Sequence, residues 1–218
     1  MNDEPTVLLT GFEPFGGERV NPSAEIARAL EGAIVNGHRV ITAILPVAFA
    51  ATLPALEALL ETHRPELAIA TGQAGGRSEL AIERVAANLI DARMADADGQ
   101  QPIDEPVIAD APAAYFSTLP VKAMLARLRA LGIPAGLSQT AGAYVCNQAF
   151  YALAHLVATR YRGTRAGFIH VPWLPEQAVR HHGQPSMALE TMIAGVRAAL
   201  ECAIATRRDL RIAGGSTH

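Results

Sequence analysis

Short apolar runs that end in glycine alternate with stretches of helical spacing along this chain. Thr6–Thr10 (TVLLT) is the first such run and predicts a buried strand opening into the loop Gly11–Gly17. Asn21 then suits a helix N-cap and Pro22 the first helical position, with Ile26, Ala27 and Leu30 on one face. Val40–Leu45 predicts a second strand, and Ala48–Thr62 carries Leu53, Leu56, Leu59 and Leu60 at helical spacing. Leu67–Thr71 predicts a third strand, followed by a second Gly-rich loop, Gly72–Arg77. Glu79–Asp91 reads as extended, and Gly99–Pro112, with Pro102, Pro106 and Pro112, as an irregular excursion. Val121–Leu131 predicts a helix, Ala135–Gln139 a strand, Cys146–Arg160 a helix and Arg165–Val171 a strand. A last helix, capped by Ser186, carries Leu189, Met192, Val196, Leu200 and Ile204 in one stripe.

Strands alternating with helices predict an α/β fold: a mostly parallel, twisted sheet covered by helices on both faces, three layers in all. No repeat or long linker divides residues 1–218, so a single domain is expected, with loose tails at about 1–5 and 209–218. In such sheets ligands bind at the carboxyl ends of the strands, where both Gly-rich loops and the Cys146 and His170 segments fall.

Composition narrows the function classes. Half the residues are hydrophobic, enough for a large core, and charged residues make up only 18% with a net charge of −3. No basic stripe points to nucleic acid. Val40–Leu56 lacks charge but is short for a membrane span and is interrupted by Pro46 and Pro54. No secretory signal is visible at the start, where Asp3 and Glu4 stand instead of a basic segment. The two cysteines, Cys146 and Cys202, are not a disulfide framework, so a reducing cytoplasm is the expected location.

Chemistry concentrates in few residues. Cys146 follows a loop and opens a predicted helix, where partial positive charge favours thiolate, although a lone cysteine is by default a small buried apolar residue. Cys202, inside the last helix, fits that default better. His170 ends the run Gly167–Val171 and is either packed and hydrogen-bonded or a base that takes a thiol proton. Glu83 in an apolar strand needs a partner: an ion pair with Arg77 or Arg84, or the imidazole it would orient. His38, His63 and His155 show no partner pattern, and the pair His181–His182 lacks a third metal ligand, so no metal site is expected. The Gly-rich loops match neither a Walker A loop nor G-x-G-x-x-G.

Four segments together resemble the pyroglutamyl peptidase I (pyrrolidone-carboxylate peptidase) family. They are VLLTGFEPFGG with NPS (Val7–Ser23), GQAGGRSELAIERVAAN (Gly72–Asn88), SQTAGAYVCN (Ser138–Asn147) and GFIHVPWLPEQ (Gly167–Gln177). The resemblance implies a Cys-His-Glu triad at Cys146, His170 and Glu83, with no metal or cofactor, acting on N-terminally pyroglutamylated peptides. It implies a phosphorylase/hydrolase-like fold and commonly a homotetramer. It places Phe12 and Phe15 beside the lactam ring and Gln73 where it could bond the lactam or support its loop. In the mechanism so implied, Cys146 and His170 form a thiolate–imidazolium pair. Backbone N–H groups at the start of the Cys146 helix hold the oxyanion, with Arg93 nearby. Ala143 departs from the threonine often found there. Two rival readings are a nucleoside phosphorylase-like enzyme, which would need a basic phosphate site, and a non-catalytic binder of pyroglutamyl ligands.

Overall fold

The computed structural model describes residues 4–215, so the expectations for residues 1–3 and 216–218 lie outside the described residues. The strands are β1 (Thr6–Phe12), β2 (Ile34–Val35), β3 (His38–Leu45), β4 (Leu67–Gln73), β5 (Leu80–Glu83), β6 (Val85–Ala87), β7 (Ala114–Phe116), β8 (Ala135–Ser138) and β9 (Arg165–Val171). The helices are α1 (Pro22–Leu30), α2 (Phe49–His63), α3 (Val121–Ala130), α4 (Val145–Thr159), α5 (Pro175–Ala178) and α6 (Leu189–Ala205). Seven strands form one sheet in the order β2-β3-β1-β4-β9-β5-β8, while β6 and β7 make a separate antiparallel pair.

The expected three layers are present. Successive side chains of a strand face opposite sides of the sheet. Val7 and Leu9 of β1, and Leu67 and Ile69 of β4, accordingly join Ile26 of α1, Met124 of α3 and Met192 of α6 in one core cluster. Leu8, Ala68 and Ala70 join Leu56 of α2 and Phe150 of α4 in the other. β3, β1, β4 and β9 run parallel, as buried Val/Ile/Leu-rich strands do.

Several local expectations are corrected. Glu79–Asp91 is not one extended run: β5 joins the main sheet and β6 leaves it. β5 lies antiparallel to β9 and parallel to β8, so one edge of the sheet is reversed. Ser186 does not cap the last helix; Ala188 holds that position, and Ser186 instead bridges Trp173. The described tail is docked rather than loose from residue 209. The Asp209 carboxylate accepts from the backbone N–H groups of Lys122 and Ala123 at the start of α3. Glu4, near the other end, pairs with Arg39 at 2.8 Å.

Candidate active site

His170 comes from the carboxyl end of β9, flanked by Gly72 of β4 and Ala81 of β5. The alternation that puts Ile169 and Val171 in the core beneath α1, α3 and α6 turns His170 to the face covered by α2 and α4. The reversal of β5 then matters. Glu83 stands opposite Phe168 and Ala81 opposite His170, so Glu83 is the diagonal neighbour of His170 on the same face. The His170 Nδ1 lies 2.7 Å from Glu83 Oε1. A carboxylate only accepts, so Nδ1 carries the proton and Nε2 is left as the proton acceptor.

Both alternatives posed for Glu83 are realised at once. The carboxylate is fully buried, and its Oε1 also stands 3.4 Å from Arg77 Nη2. Arg77 is held at the loop after β4, reaching the Thr140 carbonyl. Arg84 spends its backbone N–H on Ser138.

Cys146 enters from above this face as the second residue of α4. Gly72 makes the space for it. A Cβ at position 72 would fall 2.8 Å from Cys146 Sγ and 2.9 Å from Phe168 Cζ. The thiol therefore rests over the strand position directly abreast of His170. α4 has no side-chain cap at Tyr144, so its first-turn N–H groups beside the thiol are left to a ligand.

Burial, reinforced by the Glu83 carboxylate and only partly offset by Arg77, pushes the Cys146 thiol up to about 12. Burial also lowers His170 below the ordinary histidine value, against the bond and charge of Glu83, which raise it. Both shifts run against the ionised forms, although Cys146 as a residue is only partly buried. Desolvation outweighs the helix terminus here.

A cavity of about 760 Å³ opens at the end of β4 and is lined by Phe15, Gln73, Arg93 and Trp173 among others; Cys146 and His170 are not in its wall. Phe15 is half-buried on its wall, with its ring 6.5 Å from that of Tyr144. Phe12 is in a different place: it is 2% exposed and packs in the core with Leu45 and Phe49. Arg93 is exposed at the rim. A larger cavity, 870 Å³, opens at the opposite end of the sheet among Thr6, Arg39 and Glu66, with none of the candidate residues in its wall. Gln73, which follows Gly72 on β4, and Phe15 are in the wall of the smaller cavity, which makes it the candidate site.

Sequence reasoning overlooked the far wall. The Trp173 ring stacks on His181 at 3.8 Å between centroids, and Gly75 lies flat against that indole. His181 Nε2 meets Glu18 at 2.8 Å, so His181 is a partnered wall residue. Burial alone would raise the Glu18 carboxyl, but bonds from His181, Gln177 and Arg180 hold it below its usual value. His38 and His155 also have partners, Glu66 and Tyr115. The single tryptophan was the one sequence signal available.

A family model described as pyroglutamyl peptidase matches residues 5–206. Among similar proteins, a pyrrolidone-carboxylate peptidase of Cupriavidus taiwanensis is 56% identical over 98% of this chain and 100% of that protein. One from Bacillus cytotoxicus is 51% identical over 98% and 99%. The crystal structure of Bacillus amyloliquefaciens pyroglutamyl peptidase I superposes with a TM-score of 0.92 at 40% identity, covering 95% of this chain and 100% of that one. A mutant pyrrolidone carboxyl peptidase of Pyrococcus furiosus does so at 0.89 and 44% identity, over 92% and 98%.

Proposed function

The chain belongs to the pyroglutamyl peptidase family, and from that premise we propose that Cys146, His170 and Glu83 carry its reaction. The protein is a cysteine-type hydrolase that removes an N-terminal pyroglutamyl residue from peptides. The observation that supports the residue assignment is the buried Glu83–His170 pair on the sheet face where Gly72 makes room for the Cys146 thiol.

The steps start from a neutral thiol and a neutral imidazole, the forms that burial favours. The pyroglutamyl carbonyl settles against the first-turn N–H groups of α4. The Cys146 proton passes to His170 Nε2 as sulfur attacks, and the N–H groups meet the charge that develops on oxygen. Glu83, already on Nδ1, stabilises the imidazolium that forms. The imidazolium gives its proton to the departing amine, leaving a thioester that water cleaves with His170 as base. The steps use only side chains, backbone and water. Phe15 and Gln73 line the cavity that would take the lactam, Phe12 supports it from the core, and Arg93 offers a cation at the rim.

Residues 1–218 would act as one domain in a reducing cytoplasm, which keeps both free cysteines as thiols. Among the described residues no helix is long and apolar enough to cross a membrane. A homotetramer is the expected assembly, and exposed Phe116 and Val179 are apolar surface that it could cover; light scattering would count the subunits.

A pyroglutamyl fluorogenic amide tests the reading. The wild type should release the fluorophore and Cys146→Ser should not. Equal release by both would remove Cys146 from the mechanism, and no release by either would overturn the peptidase assignment.

A further inference from the structure

Gln73 is at the wall of the cavity, and which end of its amide faces that cavity decides what it can recognise. Bonding partners tell the amide oxygen from the amide nitrogen. Gln177, on α5, supplies the answer. Its side chain is 1% exposed. The backbone N–H of Leu174, which can only donate, lies 3.0 Å from one end, so that end is Oε1. The backbone carbonyl of Val20, which can only accept, lies 3.0 Å from the other, so that end is Nε2. The backbone thus fixes the Gln177 amide without reference to any side chain. Gln177 Nε2 also lies 2.9 Å from Gln73, and the Gln73 atom there must be an acceptor, Oε1. The carboxylate of Glu18, 3.2 Å from Gln177 Nε2, supports the same polarity.

We propose that Gln177 is a positioning residue that locks Gln73 with its oxygen turned inward and its NH₂ toward the cavity, so that Gln73 selects a ring carrying a carbonyl acceptor. Resting on the peptidase reading, this names the feature of the substrate that is tested. A pyroglutamyl ring offers a carbonyl at the position where a prolyl ring has only a methylene, and the prolyl ring adds a cationic amine that donates. An NH₂ facing the cavity bonds the first and has nothing to give the second. A site built to bond a polar atom discriminates strongly against analogues lacking it, because the site's own group is then unpaired. Had Gln73 been free to rotate, it could serve a donor or an acceptor equally and the discrimination would be lost.

The test uses ligands that need no turnover. In a Cys202→Ser background, 2-pyrrolidone and its thiolactam, whose sulfur is a weaker acceptor, are compared for protection of Cys146 from iodoacetamide. Cleavage of the pyroglutamyl amide is measured separately on the same proteins. The wild-type site should be protected by the lactam at concentrations at least about tenfold lower than by the thiolactam. In Gln177→Glu and Gln177→Met, lactam protection should weaken about tenfold or more and the lactam-to-thiolactam ratio should fall toward one. The rate of alkylation without ligand should stay at the wild-type value, and the loss in cleavage should appear in KM more than in kcat. A wild-type ratio in both variants overturns the proposal. Should either variant fail to fold, Gln73→Glu keeps an acceptor for Gln177 and presents a second acceptor to the cavity; it too should lose the ratio, and retention there overturns the proposal. A wild type that is protected by lactam yet cleaves nothing would sink the peptidase reading and leave the polarity of Gln73 standing.

Discussion

Cys146 and His170 are each weakened as ions by burial, and this shapes the pH behaviour of the site. The thiol is pushed up to about 12, so at neutral pH the free enzyme holds little thiolate. The imidazole is lowered, so it stays neutral and able to accept a proton until the pH falls below the ordinary histidine range of about 6.5. In the Cys202→Ser background, alkylation of Cys146 should therefore rise continuously from about pH 6 to about pH 10 without a plateau. A rate that is flat across that interval would mean a thiolate already paired with His170, and the neutral resting pair would be wrong. The acid limb of kcat/KM should in turn lie below about pH 6.5, since protonating His170 removes the base. In the sequence Cys146 stands out by opening a predicted helix, and His170 and Glu83 by interrupting apolar runs; that the three form one triad is what the family resemblance implies. The sequence does not reveal that the thiol is desolvated, which depends on Phe168 and Gly72 arriving from other strands. Nor does it reveal the separation of Phe12 from Phe15: three residues apart, they differ because Phe12 still belongs to β1 and Phe15 to the loop beyond it.

Among the elements, the helix starts show a division of labour. α2 has no cap of its own, and Asp96 reaches the Phe49 N–H at 2.7 Å; α3 has none either, and Asp209 serves it. α4 stays uncapped, and the donors it leaves are those beside Cys146. What holds that bare start in place is Asn147, the residue after Cys146. Its amide accepts from Ala87 N–H and donates to the carbonyls of Ala87 and Leu89, tying α4 to β6. Asn147 is 1% exposed, so Asn147→Ala leaves these backbone groups short of partners in a dry place. The loss should be about 2–4 kcal/mol in urea unfolding, with kcat falling as the thiol is released from its seat. A cost under about 1 kcal/mol would mean that water replaces the amide. The long helices were legible from their spacing and the buried parallel strands as short apolar runs bounded by glycine, whereas the four-residue α5 was not. Nor was the direction of β5: alternation fixes which side chains share a face but is blind to whether a strand runs up or down. The β6–β7 pair is too short to carry a period, and β6 was absorbed into the run before it.

At the scale of the whole molecule, the chain's far end closes on its middle. Asp209 follows α6 and lies 87 residues beyond Lys122, yet its carboxylate accepts from the N–H groups of Lys122 and Ala123, the second and third residues of α3. Those are the positions a local cap would serve, and Pro120, which occupies the cap position, offers no side-chain acceptor. The Lys122 ammonium returns a bond to the Ile212 carbonyl, and Gly214 sits close to Leu137 of β8. The segment thus covers the reversed edge of the sheet near the strand that positions Glu83. Composition suggests a loose tail, because a Gly-rich ending carries no periodic signal; the docking arises from one carboxylate meeting a positive helix end. Asp209→Ala should cost about 1 kcal/mol, the usual worth of an N-cap, and the same deficit should follow truncation after Arg208. None of the tail's contacts is with Cys146, His170 or Glu83, so kcat and KM should hold while the unfolding midpoint falls. A truncated protein as stable as the full chain would show that α3 fills its cap with solvent, and a truncated protein with altered kcat would show that the tail reaches Glu83 through β8.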